Sequence, residues 1–231
     1  MKILGLHIVG DQSSAVLLDE GRIVCGVAEE RFDRVKRSRN FPYQSIQYCL
    51  DFSGLKDLRE LDAIAVSWNP MRHMEQINMS GFTSRRRYDP EWLYIAPNNL
   101  AQFLKEKVNG GASSFFWDSS KESAIYFVDH HSSHVAHAVF QSNFDDCACL
   151  IADEYGEFSS ITLAQAKGSD IQIIKQNPFP HSLGGFYSMI TEFLGFEKNS
   201  DEWKVMGATA YGDYKIFYDR LRSIVKWDSQ N

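Results

Sequence analysis

Three successive stretches at the start of the chain, Lys2 to Ile8, Ser14 to Leu18 and Arg22 to Glu29, have the hydrophobic patterning of strands. Gly10-Asp11-Gln12 separates the first from the second, and Asp19-Glu20-Gly21 forms a hairpin turn between the second and third. The three therefore predict an antiparallel meander. A basic loop, Arg34 to Arg39, follows; Pro42 then opens a helix through about Ser53, with Ile46, Cys49 and Leu50 at core-facing spacing. Asp62 to Trp68 is the next strand. Residues 69–123 are less regular, with Pro70, Pro90, Pro97 and Arg85-Arg86-Arg87, and helical spacing returns only from Leu93 to Val108. This predicts an insertion over one side of the fold.

The opening pattern then recurs. Ala124 to Val128 reads as a buried strand leading into a helix, and Cys147 to Ala152, Ser159 to Ala166 and Ile171 to Gln176 predict a second meander. Each meander has an aspartate at its first hairpin, Asp11 or Asp153, and a Ser-Ser pair entering its second strand. One long-period repeat predicts two lobes built alike, divided near 145/146, and not a solenoid of short units. Ser182 is placed to cap a helix running to about Leu194, and Asp213 to Val225 also has a helical pattern.

Composition narrows this α/β reading. The 231 residues are 44% hydrophobic and 23% charged, as in ordinary globular proteins, and a net charge of −6 speaks against a nucleic-acid or anionic-membrane partner. No apolar run approaches the roughly 18 residues of a membrane-spanning helix. The start of the chain has no signal-peptide pattern, which predicts the cytoplasm. Cys25, Cys49, Cys147 and Cys149 have no CxxC spacing and lie in apolar runs, as expected of buried free thiols.

Candidate chemistry is concentrated in Asp129-His130-His131-Ser132-Ser133-His134-Val135-Ala136-His137, which holds four of the seven histidines. On a helix starting near His130, a turn of about 100° per residue puts His130, His134 and His137 on one stripe and sends His131 elsewhere. Two imidazoles four residues apart can share a metal ion. Geometry alone leaves the choice among the three open. A zinc hydrolase of the H-E-x-x-H type does not fit, because His131 stands where its glutamate would be. Downstream, Gly184-Gly185 at a helix entrance would let backbone approach an anion.

The order of motifs is more specific. Asp11 with Ser13-Ser14, Ala28-Glu29-Glu30-Arg31-Phe32 with Arg34 and Lys36, Phe41-Pro42, His130-His131-Ser132-Ser133-His134, Asp153 with Gly156-Glu157, Ser182-Leu183-Gly184 with Phe186-Tyr187, and Lys204-Val205-Met206-Gly207 together closely resemble the O-carbamoyltransferases of the NodU/CmcH type. The resemblance runs over nearly the whole chain. It implies an actin-like ATPase architecture of two ribonuclease-H-like lobes, 1–145 and 146–231, the second incomplete in this sequence. It implies, further, that a YrdC-like domain makes carbamoyl-adenylate from carbamoyl phosphate and ATP, and that the actin-like part moves the carbamoyl group onto a small-molecule hydroxyl.

By the same resemblance, His130, His134 and Asp153 are ligands of a divalent metal of the iron type. Lys36, Ser182, Gly184, Lys204 and Gly207 are assigned to nucleotide or carbamoyl phosphate, and Asp11 and Lys36 to catalysis. Two positions depart from the pattern: Gly10 replaces the histidine expected before the hairpin aspartate, and Glu154 replaces a glycine after Asp153. With no YrdC-like domain in the sequence, the expectation is a fragment or a short homologue that works with such a domain in trans and forms a homodimer. The alternative is a non-catalytic nucleotide- or metal-binding homologue that regulates or completes a partner.

Overall fold

Alternation along the first strand sends Leu4, Leu6 and Ile8 to one side, where they are almost completely buried. In the computed structural model, which describes residues 1–10, 12–69 and 124–226, they belong to the larger of two apolar clusters. Strands β1 (Lys2–His7), β2 (Ser14–Asp19) and β3 (Arg22–Ala28) form the expected antiparallel meander. Strands β4 (Ala63–Val66) and β5 (Ala124–Phe127) extend it in parallel, giving a five-stranded sheet of order β3-β2-β1-β4-β5. The insertion expected over 69–123, its Arg85-Arg86-Arg87 run and Asp11 lie outside the described residues, apart from Asn69.

Helices α1 (Glu30–Asp33) and α2 (Tyr43–Phe52) follow the meander, and α2 buries Ile46, Cys49 and Leu50 against it. Its N-cap residue is Pro42, which makes no side-chain capping bond. The buried carboxylate of Glu29 substitutes, accepting the Gln44 and Ser45 amides at 3.1 and 2.8 Å. The basic loop is tied back to the same place. Asp33 accepts from Ser38, from Asn40 at 2.9 Å and from the Val35 amide at 2.9 Å, and Glu30 accepts the Arg37 amide at 2.7 Å.

Helix α3 (His130–Phe140) leaves β5 and packs on a second sheet, β6 (Asp146–Ala152), β7 (Ser159–Lys167) and β8 (Asp170–Pro178), another antiparallel meander. Val135 and Val139 meet Cys149, Ala164 and Ala166 there, forming the smaller cluster. All four cysteines are free, with Cys49 and Cys149 buried and Cys25 and Cys147 partly so.

Helices α4 (Leu183–Phe193), α5 (Glu202–Ala208) and α6 (Tyr218–Ile224) complete the described chain. The single helix expected over Asp213–Val225 is instead a 3-10 turn, Tyr214–Ile216, followed by α6. The Asp213 side chain accepts the Lys215 amide at 3.0 Å and so caps a separate short turn. No helix among the described residues is long and apolar enough to cross a membrane.

Candidate metal centre

The start of α3 is set by three neighbouring segments. Residues spaced by four, His131, Val135 and Val139, turn inward, which leaves His130 and His134 together on an adjoining stripe. Asp153, directly after β6, meets them: His130 Nε2 lies 3.0 Å from Asp153 Oδ2, His134 Nε2 lies 3.5 Å from the same oxygen, and the two Nε2 atoms are 3.1 Å apart. Bonds of about 2.0–2.2 Å from one ion to imidazole nitrogen and carboxylate oxygen would set neighbouring ligand atoms roughly 3–3.5 Å apart. The three donors thus fit one divalent transition metal as a two-histidine, one-carboxylate face.

Hydrogen bonding supports that fit. His130 Nδ1 faces the Ser67 carbonyl at 3.4 Å, and a proton there leaves Nε2 with its lone pair aimed at the Asp153 carboxylate. Such a meeting of lone pairs calls for a positive charge between them, either a proton or a metal ion. Burial acts to lower the His130 pKa, but hydrogen bonding and charge from Asp153, with Glu157 adding, raise it above the ordinary histidine value. For Asp153 burial pushes upward, and the bonds from His130, His134 and the Glu154 amide outweigh it and hold the carboxyl well below its usual range.

His131 has a different role. It is buried, with Nδ1 2.7 Å from Thr162 Oγ1, and burial followed by the charge of His130 lowers its pKa to about 4. It is a neutral core residue. His137 is exposed and outside the convergent group, and Glu154 does not join that group among the described residues.

The other predicted residues form two sets, of which the first meets the Asp153 backbone. Ser182 caps α4 by accepting the Gly185 amide at 2.8 Å, and its hydroxyl meets the Asp153 carbonyl at 3.0 Å. A Cβ on Gly184 would stand 2.6 Å from the Asp153 carbonyl carbon and the Glu154 nitrogen. The close backbone approach expected at this glycine is therefore made to the chain's own Asp153-Glu154 segment. The second set gathers near Asp201. Lys204 Nζ lies 2.7 Å from its carboxylate, and that bond, with a longer-range contribution from Lys36, holds the Asp201 carboxyl below the ordinary value. Gly207 sits exposed on α5, with nothing within 4 Å of an added Cβ.

Sequence reasoning passed over Glu157, although it stands in the Asp153 motif. It is buried, and its Oε1 accepts the Asn69 amide at 2.7 Å, while Oε1 and Oε2 accept the His130 amide at 2.9 and 3.0 Å. His7, which the sequence gives no reason to bring to the site, is a neighbour: its ring is 6.4 Å from that of His130, and Nδ1 is 3.0 Å from Ser67 Oγ. Strand alternation along β1 carries no signal of either contact.

Fold and centre define a mixed α/β protein with a candidate metal-binding face of two histidines and one carboxylate. The family model described as Carbamoyltransferase N-terminus matches residues 2–228, and the chain belongs to that family. It is 35% identical over 227 residues to the uncharacterized protein sll1178 of Synechocystis, covering 92% of this chain and 35% of that one. To nodulation protein NolNO of Sinorhizobium fredii it is 32% identical over 217 residues, covering 90% of this chain and 30% of the relative. The chain thus spans about a third of these relatives. Among solved structures it overlaps YeaZ from Pseudomonas aeruginosa with a TM-score of 0.40 at 15% identity, over 78% of this chain and 68% of that one. The overlap is too loose to bear on the site.

Proposed function

We propose that this chain is the N-terminal portion of an O-carbamoyltransferase, moving a carbamoyl group from carbamoyl-adenylate to a hydroxyl of a small molecule. The observation that carries the reading is the convergence of His130, His134 and Asp153 donors in a member of the carbamoyltransferase family. These residues would hold a divalent metal of the iron type, which when bound supplies Lewis acidity to substrate oxygens. Two ribonuclease-H-like lobes, 1–145 and 146–231, belong to the same proposal, supported by the paired meanders and by the parallel extension of the first.

Lys36 and Lys204 bind the phosphate of ATP or carbamoyl phosphate, which takes the place of the Asp201 carboxylate as their counter-charge. Ser182 and Gly184 shape the nucleotide-facing start of α4, and Gly207, in the last turn of α5, leaves open space for the nucleotide beside Lys204. In the transfer, the acceptor oxygen bonds to the carbamoyl carbon, that carbon's bond to the adenylate oxygen breaks, and the acceptor proton passes to Asp11. A YrdC-like domain, in a longer chain or in trans, supplies the carbamoyl-adenylate.

The test is carbamoylation of a hydroxylated acceptor from carbamoyl phosphate and ATP with that domain present. His130→Ala/His134→Ala is expected to abolish turnover, and retained turnover would sink the metal-centred reading. A second reading, nucleotide or metal binding without turnover, is favoured by Gly10: its φ of 84° suits glycine and disfavours the histidine of the family pattern. Binding without product in the same assay selects it. Homodimer formation belongs to the proposal too, supported by β6 lying at a sheet edge among the described residues. Sedimentation at twice 26.4 kDa is the expected result.

A further inference from the structure

We infer that Glu157 is a positioning residue for the centre: it clamps the start of α3 to the end of β4, so that the His130 ligand is aimed only while the second meander is docked on the first sheet. The inference rests on the metal reading above. Glu157 lies in the β6–β7 connection, yet its carboxylate reaches two backbone amides outside that hairpin. Its Oε1 takes the Asn69 amide, two residues past the Ser67 carbonyl that faces His130 Nδ1, and both its oxygens take the His130 amide itself. One carboxylate thereby fixes both the ligand and the acceptor that orients it.

Two further features point the same way. Asp129 precedes α3 without making a side-chain capping bond, so the carboxylate of Glu157 supplies the acceptor the helix start lacks locally. The connection also lies hard against the helix: a Cβ on Gly156 would come within 3.0 Å of His131 Cδ2 and 3.3 Å of His130 Cβ. Any side chain there would push the Glu157 turn away from the ligand it holds. Asn69 Nδ2 bonds Asp129 Oδ1 at 2.9 Å, closing the junction beside the same amides.

Co(II) titration followed by its d–d absorption, together with hydrogen exchange at the Asn69 and His130 amides of the metal-free protein, tests this. Glu157→Gln keeps the size but loses the charge and one acceptor oxygen. It is expected to weaken Co(II) binding by about 10- to 100-fold, the usual effect of losing an outer partner of a metal ligand, and to speed exchange at both amides. Glu29→Gln removes a comparable buried helix-holding carboxylate from the start of α2 and is expected to leave Co(II) affinity and both amides as in the parent. If Glu157→Gln does not fold, Glu157→Asp, with its charge kept and its reach shortened, is expected to show a smaller loss in the same direction. Parent-like affinity or parent-like exchange in a folded Glu157 variant overturns the inference while the metal reading stands. A parent protein that binds no Co(II) overturns the metal reading and this inference with it.

Discussion

Gly184 and Gly207 look alike in sequence, each a small residue in a segment assigned to nucleotide, but their surroundings give opposite predictions. An alanine at 184 would drive its methyl into the Asp153-Glu154 backbone, whereas one at 207 meets nothing within 4 Å. Gly184→Ala is therefore expected to destabilise by about 1–3 kcal/mol, the usual range for overpacking, and to weaken metal binding by shifting Asp153. Gly207→Ala, inside α5, is expected to stabilise by about 0.5–1 kcal/mol. Urea titration of the two variants checks both signs. At this scale the sequence was readable where local spacing decides the outcome: His130 and His134 are neighbours because they are four apart on a helix. It was silent where a side chain reaches across the fold. Nothing near Glu157 in the sequence marks the Asn69 and His130 amides as its partners, and the stripe argument turned His131 away from the others without showing that it faces Thr162 in the core.

Among the elements, the meanders were legible because alternation and turn residues are local, and the helix expected from Pro42 matches α2. The helix around Gly207 carried no such signal, since a run of small residues bounded by glycine has no apolar periodicity to mark it. Helix α2 depends on a distant carboxylate. Loss of the Glu29 bonds to the Gln44 and Ser45 amides and the Ser45 hydroxyl in Glu29→Ala is expected to cost about 1–3 kcal/mol in chemical denaturation. The basic loop gives a pH prediction. The Ser38 hydroxyl, opposed by slight burial and helped by the Val35 amide and Asn40, holds the Asp33 carboxyl below its ordinary 3.8. A depressed folded pKa means that its contribution to loop order is fully present above about the unfolded value, and is lost as pH falls through the folded one. The Val35 amide resonance should accordingly stay constant from neutral pH down to about that ordinary aspartate value and move only at lower pH. A midpoint at or above 3.8 would contradict the contacts described.

For the molecule as a whole, the centre draws on segments far apart in sequence: His130 and His134 from α3, Asp153 from the end of β6, and the Ser67 carbonyl from beyond β4. An ion held there would cross-link them in the folded chain alone. At a free Fe(II) or Co(II) concentration about 100 times the dissociation constant, the folded state is expected to gain about 2.7 kcal/mol, reversed by chelation and absent in His134→Ala. Calorimetry with and without metal reads this directly, and an unchanged transition would exclude tight binding. The two meanders were foreseeable from the repeat; the packing of α3 on the second was not, because the helix follows β5 of the first sheet in the chain.

The contact between Gly184 and the Asp153 backbone reaches beyond stability. Room at the first turn of α4 exists only while position 184 carries no side chain, and the backbone it touches presents the carboxylate of the centre. Selection would then see the two positions as a single character: lineages that keep the aspartate should keep the glycine, and those that abandon the centre should let both drift together.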